Sequence, residues 1–329
     1  VNEEPLLPSE PVFPQPPPLP RGRDIELPGR GTTFVREVPA PRGRKRAPTV
    51  VLLHGWTVTA DLNFFRCFGP LGTTYRVVAL DQRGHGRGIK ALPFRLEDCA
   101  DDVAALIDTL GLDRPIVAGY SMGGGVAQLV AQRHPEKIRG VVLCATAHRF
   151  GAQLSEQGWR KVLLEGVTAV VSRLPPDVRA RLQQGVQSRR GAQTPREAWV
   201  LEEIARHDPA MVLQGLRALT AFDSLPWLGD LDVPVAVVRT LQDLTVPTRD
   251  QDVMIDAVGG APVFDVDAPH RAVVEAAELF VPALMAAIAD IEDRTLTSAP
   301  TPRPRTPRVP RVRRLPRPRT PTPAPTETT

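Results

Sequence analysis

A serine sits in the run Gly119-Tyr120-Ser121-Met122-Gly123-Gly124, directly after the apolar residues 115–118. Glycines on both sides of a hydroxyl permit a very tight turn, and such a turn between a strand and a helix lifts the hydroxyl clear of the chain. Two later residues supply what an exposed serine needs to act as a nucleophile. Asp243 follows the apolar run 233–240 by three residues, and His270 follows the run 261–267. An imidazole can take the serine proton and pass it to a leaving group. A carboxylate can fix the imidazole tautomer and stabilise its cation. Serine, acid and histidine in this chain order point to attack on an acyl carbon. The competing reading is a helix cap at Ser121 and an ordinary loop histidine at position 270.

For this chemistry the elements ahead of the three residues must bring them to one place. Residues 48–56 (PTVVLLHGW), 75–86 (YRVVALDQRGHG) and 114–124 (RPIVAGYSMGG) are alike, each an apolar run ending in a glycine-containing loop. Aliphatic and β-branched runs without alternation predict strands buried on both faces, hence parallel ones. Residues 97–110 and 122–134 carry helical periodicity, with Gly111 and Pro135 as stops. Further strands are predicted over 138–146, 233–240 and 261–267, with a helix over 249–258 stopped by Gly259-Gly260. Residues 25–38 read as two short strands around a glycine turn. A last helical region over 273–291 contains Pro282, which predicts a kink or a new helix start there.

Between residues 148 and 223 the pattern changes and no strand is predicted. Thr194-Pro195-Arg196-Glu197 is a capping box, Asp208-Pro209 is a second helix start, and 154–174 and 178–187 also look helical. The expected fold class is therefore α/β, a mostly parallel central sheet with helices on both faces and an all-helical cap insertion. In such sheets ligands bind beyond the carboxyl ends of the strands, where His54, Asp81, Ser121, Asp243 and His270 all fall. A helix beginning at Met122 would aim its free N–H groups at the site. The Met122 N–H is thus one expected oxyanion donor, and the Trp56 N–H, in the loop after the first apolar strand, is the other.

Together these segments carry a resemblance. HGW at 54–56, DQRGHGRG at 81–88, GYSMGGG at 119–125, Asp243 in TLQDLTVP and His270 in DAPH resemble the α/β-hydrolase superfamily. The match is to its helical-cap branch of bacterial esterases and cofactor-free haloperoxidase-like serine hydrolases. The likeness covers residues 24–293, and the insertion falls where that family carries its cap. It implies Ser121 as nucleophile, His270 as base and Asp243 as acid. It also implies Trp56 and Met122 as backbone donors, and His54, Gly55, Gly119 and Gly123 as motif support. No metal or organic cofactor is implied. Epoxide and haloalkane hydrolysis run against it, since those branches carry an aspartate where Ser121 stands.

The remaining polar residues have plainer readings. His54 and His85, in glycine-rich loops, are expected to hold loop geometry. Asp81 is expected to pair with Arg83 and Arg87. His134, His148 and His207 read as surface or cap residues, and Asp230 and Asp232 as lying at the wrong end of the sheet. Cys67, Cys99 and Cys144 form no close pair and read as reduced, mostly buried thiols, which fits a cytoplasmic setting.

Composition bounds the partners. Proline is abundant, 36 in 329 residues, and concentrates at the two ends. The expected organisation is a Pro-rich arm over 1–23, a core over 24–147 and 224–293, a helical cap over 148–223, and a Pro/Arg/Thr-rich tail over 294–329. Both end segments are expected to be disordered. Eight arginines and one glutamate lie between residues 296 and 329, so this tail carries +7 and leaves −3 for the remainder of a chain whose total is +4. The domain is therefore not expected to bind nucleic acid, while the basic tail is free to contact anionic partners. No membrane span or signal peptide is read. The first expectation is a serine hydrolase acting on a small-molecule carboxylic ester, thioester or lactone. Acyl transfer, perhydrolysis or carbon–carbon hydrolysis on the same triad stays open, as does a non-catalytic binding protein. Cap residues Trp159, Leu163, Leu164, Trp199, Val200, Met211, Leu216 and Phe222 offer an apolar wall from which some should face the site.

Overall fold

The computed structural model describes residues 15–44, 47–150 and 194–297. The helices expected over 154–174 and 178–187, cap residues Trp159, Leu163 and Leu164, most of the arm and nearly all of the tail lie outside the described residues. Eight strands form one sheet: β1 Gly22–Leu27, β2 Gly31–Val38, β3 Thr49–Leu53, β4 Arg76–Leu80, β5 Ile116–Tyr120, β6 Gly140–Cys144, β7 Val235–Thr240 and β8 Val263–Val266. Their spatial order is β1-β2-β4-β3-β5-β6-β7-β8. β1 and β2 form an antiparallel hairpin, and β2 pairs antiparallel with β4. Every pairing from β4 across to β8 is parallel. The first strand starts at Gly22, ahead of the boundary expected at residue 24, because Gly22 already pairs with Arg36.

The unbroken apolar runs are explained by two cores. Val51, Leu53, Val78, Leu80 and Val117 point to one face. Val50, Leu52, Val77, Ala79 and Ile116 point to the other. The first face is covered by α3 (Leu96–Thr109), α4 (Met122–Arg133) and α8 (Thr248–Val258). The second is covered by two short helices, α1 (Ala60–Phe64) and α2 (Phe68–Gly72), and by α10 (Ala277–Thr297). Helices thus lie on both faces, as expected.

In the insertion, α5 (Pro195–Ala205) begins with the capping box, in which Thr194 Oγ1 accepts from Glu197 N and the Glu197 carboxylate accepts from Thr194 N. α6 (Pro209–Ala221) is capped by Asp208, which accepts from Met211 N. A one-turn helix, α7 (Leu225–Leu228), follows. The two ends of the insertion meet at their base, where Arg149 and Asp223 form an isolated bridge and Ser224 N donates to His148 O at 2.9 Å.

Near the C-terminal end the structure departs from expectation. The break lies at Ala276, between α9 (Ala272–Glu275) and α10, and not at Pro282, through which α10 runs. Pro282 is the sixth residue of α10, so the i−4 carbonyl that it leaves without a partner belongs to Glu278 in the exposed first turn. α10 also extends to Thr297, past residue 293. Among the described residues no helix is long and apolar enough to cross a membrane.

Candidate active site

β5 runs straight into the Ser121 turn. Ser121 has φ +54° and ψ −118°, left-handed values that a serine adopts only under constraint. The constraint is visible. Ser121 N donates to Cys144 O at 2.9 Å, and Ser121 O accepts from Gly124 N and Thr146 Oγ1, both at 2.8 Å. Although Ser121 stands at the N-cap position of α4, its side chain makes no capping bond. The turn also dictates its glycines. A Cβ on Gly119 would lie 2.1 Å from Gly123 O, and one on Gly123 would lie 2.1 Å from Leu53 O. Gly55 is less demanding, since a Cβ there would lie 3.5 Å from the Ser121 Cβ, an ordinary contact.

The freed hydroxyl faces an imidazole. Ser121 Oγ lies 3.1 Å from His270 Nε2, and His270 Nδ1 lies 2.7 Å from Asp243 Oδ2. A carboxylate only accepts, so this contact puts the ring proton on Nδ1 and leaves Nε2 free to receive the serine proton. Asp243 is buried, and four bonds satisfy its oxygens. Oδ1 accepts from Thr245 N (2.9 Å) and Val246 N (2.8 Å), and Oδ2 accepts from Thr240 Oγ1 (2.8 Å) as well as His270. Behind this turn, buried Gln251 donates to Val246 O at 2.9 Å and receives Thr240 N at 3.2 Å. On the histidine side, the Tyr120 hydroxyl donates to the His270 carbonyl, and its ring lies 5.8 Å from the imidazole.

The loop after β3 forms the opposite wall. Gly55 N donates to Asn63 Oδ1 at 2.7 Å, and Trp56 Nε1 donates to Val212 O of α6 at 3.0 Å. Neither the Trp56 nor the Met122 backbone N–H has an acceptor among the described residues. Both stand where the sequence places the oxyanion donors, one in the loop after β3 and one at the start of α4. His54 ties this loop to the next. Its Nδ1 bonds Gly55 O at 2.8 Å and its Nε2 accepts from Gln82 N at 2.8 Å. Complete burial lowers the His54 pKa, so the ring is neutral and serves as a strut.

One of the plainer expectations needs correction. Asp81 pairs with Arg87 (3.0 Å) but not with Arg83, whose guanidinium instead grips Asp102 on α3 with two bonds of 2.7 Å. His148 and His207, read as surface or cap residues, fall in the insertion and are buried there. His148 sits at the base of the insertion, and His207 Nδ1 accepts from Gly86 N at 2.7 Å where α5 meets the loop after β4. Glu203 of α5 joins the same contact, accepting from Thr59 Oγ1 at 2.9 Å and lying 3.4 Å from Arg87. Some of the apolar cap residues are expected to face the site, and Trp199 and Val200 do; Met211 is buried in the core, Phe222 packs on Phe150, and Leu216 does not line the cavity.

Ser121 and His270 open into a cavity of about 620 Å3, walled in part by Trp56, Trp199, Ile204 and Val274. That volume holds a small to medium organic molecule. The arrangement can generate an alkoxide-like serine against a bound carbonyl, with apolar walls for its substituents.

The family profile described as the alpha/beta hydrolase fold matches residues 48–277. A pimeloyl-[acyl-carrier protein] methyl ester esterase of Neisseria meningitidis is 33% identical over 218 residues, spanning 63% of this chain and 82% of that protein. A hydrolase structure from Pseudomonas aeruginosa superposes with a TM-score of 0.64 at 19% identity, covering 82% of this chain and 98% of that one. An enol-lactonase structure from Burkholderia xenovorans gives 0.62 at 23% identity, covering 81% and 100%.

Proposed function

The chain belongs to the alpha/beta hydrolase fold family and is a serine hydrolase of the carboxylic-ester class, and from that premise we propose that Ser121, His270 and Asp243 carry out the hydrolysis through an acyl-enzyme. Ser121 Oγ attacks the ester carbonyl while His270 Nε2 takes its proton. The N–H groups of Trp56 and Met122 receive the resulting oxyanion. His270 returns the proton to the departing alcohol, and Ser121 keeps the acyl group. A water, deprotonated by the same imidazole, then releases the acid and restores the serine. Asp243 holds Nδ1 throughout, so the tautomer that attack requires is the resting one.

The observation that carries this reading is the pair of contacts at His270, 3.1 Å to Ser121 and 2.7 Å to Asp243, around a strained serine that caps nothing. The cavity around Ser121 and His270 suits a carboxylic ester whose groups next to the reacting carbonyl are small to medium and apolar. Methyl esters of acyl chains are the first to try, because the Neisseria relative is named for such an activity. The division into a core over 24–147 and 224–293 and a cap over 148–223 belongs to the same proposal, supported by the closure of the insertion at Arg149 and Asp223. Pre-steady-state turnover of p-nitrophenyl butyrate tests the mechanism. An acyl-enzyme pathway gives a burst of p-nitrophenol stoichiometric with active sites when deacylation is slower, and partitioning to added methanol at a constant product ratio. Absence of both would remove the covalent step.

A further inference from the structure

A second cavity adjoins the first. It is a groove of about 950 Å3 between α10, the α1–α2 region and the proline-rich residues 15–18. Its apolar wall includes Phe65, Pro70, Val281, Pro282 and Met285. Phe65 and Arg196 line both cavities, so the groove and the cavity that holds Ser121 meet at this shared stretch of wall. The Arg196 guanidinium lies over the Phe65 ring, 5.5 Å from its centroid, at this junction. The catalytic cavity alone is large enough for a short ester, which leaves the groove without a role in its turnover.

The groove's charge is as informative as its shape. Arg66 and Arg196 both line it, and neither has an ion-pair partner among the described residues. Arg66 is half-buried in the groove wall; its Nε is shut off from solvent with no hydrogen-bond partner, so any anion in the groove meets the guanidinium through its outer nitrogens. One carboxylate, Glu278, stands at the opposite wall on the exposed first turn of α10.

We propose that this groove binds the distal end of a long acyl chain carrying a terminal anionic group, while the ester at its other end lies at Ser121. The methylene chain passes Phe65 and Arg196, the apolar wall takes its far half, and Arg66 receives the terminal anion. This deepens the ester-hydrolase reading and rests on it. A short ester uses only the first cavity and is indifferent to the groove.

Three p-nitrophenyl substrates test it with the full-length chain: the butyrate, the laurate, and the monoester of dodecanedioic acid, which matches laurate in length but ends in a carboxylate. The wild type is expected to favour the dodecanedioate monoester over laurate in kcat/KM. Pro282→Trp, at an exposed position, narrows the groove. It should raise KM for both long esters about tenfold and leave butyrate unchanged, the scale expected when a chain loses one or two buried methylenes. Arg66→Gln should abolish the preference for the dodecanedioate monoester and leave laurate and butyrate alone. Met285→Trp, inside the same groove, should repeat the Pro282→Trp result. The proposal is overturned if both tryptophan variants spare the long esters, if they slow butyrate equally, or if laurate is the better substrate of the wild type. If removing residues 1–14 improves the long esters and Pro282→Trp acts only after that removal, the groove's occupant is the chain's own arm and the proposal fails. A wild type inert on butyrate defeats the hydrolase reading instead. The groove is then judged by calorimetry with free dodecanedioate and the same variants, and a lack of binding overturns it.

Discussion

His270 Nδ1 meets Asp243 Oδ2 at 2.7 Å, and the Asp243 side chain is fully shielded from solvent. A buried carboxylate held by two backbone N–H groups and a threonine hydroxyl cannot swing away from the ring. It therefore sets the imidazole tautomer as well as its position. Asp243→Asn places an amide where only an acceptor fits, so that Nδ1 no longer retains the proton by default. We expect kcat/KM on p-nitrophenyl butyrate to fall about ten-thousand-fold with folding intact. A loss of less than about tenfold would show that another group orients the histidine.

Asn63 holds the loop that carries Trp56 by accepting from Gly55 N at 2.7 Å. Asn63→Ala releases that N–H and lets the loop drift, and a displacement of an ångström at an oxyanion donor costs about a hundredfold in rate. The expected signature is a lower kcat with little change in KM. Asn63→Asp, which keeps the acceptor, should recover part of the rate. An equal loss in both variants would assign Asn63 a purely structural role.

The two elbow glycines and the loop glycine should respond oppositely to one added methyl. Gly119→Ala drives a Cβ to 2.1 Å from a carbonyl oxygen, a clash that only backbone movement relieves. We expect it to lose more than about 3 kcal/mol or fail to fold, read by urea denaturation or soluble yield. Gly55→Ala, with its nearest neighbour at 3.5 Å, should fold with a wild-type midpoint and lower activity only through contact with Ser121.

Burial lowers the pKa values of three clustered histidines, His54, His85 and His207, the last to about 4. Their rings contact one another at 5.4 and 5.3 Å. Each stays neutral in the folded protein while the unfolded chain takes up the proton. Stability is then complete above pH 6.5 and declines as pH falls from there; for His207 the decline ends near 4. His207 alone contributes roughly 3 kcal/mol to that loss. Urea midpoints measured across this window should therefore drop steadily. His207→Asn, which preserves an acceptor for Gly86 N, should reduce the slope by about one proton. An unchanged slope would place the proton uptake elsewhere.

The strand runs, the serine turn and the chain order of the triad were legible because each has a local signature. Runs of four to six apolar residues, a Gly-x-Ser-x-Gly step and a histidine after the last strand need no knowledge of distant contacts. Asn63 was not legible, because it lies in α1, a five-residue helix with no room for periodicity, and its role depends on Gly55 eight residues earlier. Gln251 and Tyr120 escaped for a related reason. Gln251 looks like any polar helix residue, and Tyr120 like any strand-end aromatic, until folding sets them behind Asp243 and His270. Arg83 illustrates the opposite failure. Proximity in sequence suggested Asp81, yet α3 brings Asp102 closer and in a geometry that matches both guanidinium donors. The helix break at Ala276 was misplaced to Pro282 because a proline early in a helix leaves its orphan carbonyl in the first turn, where water can reach it.

The central claim is that Ser121 becomes covalently acylated, and covalent labelling tests it most directly. A fluorophosphonate probe should add once to the wild-type chain, with peptide mass mapping placing the adduct on Ser121. Ser121→Ala should remain unlabelled and inactive, and His270→Ala should label far more slowly. Undiminished labelling of Ser121→Ala, or an adduct mapped to another residue, would contradict the account.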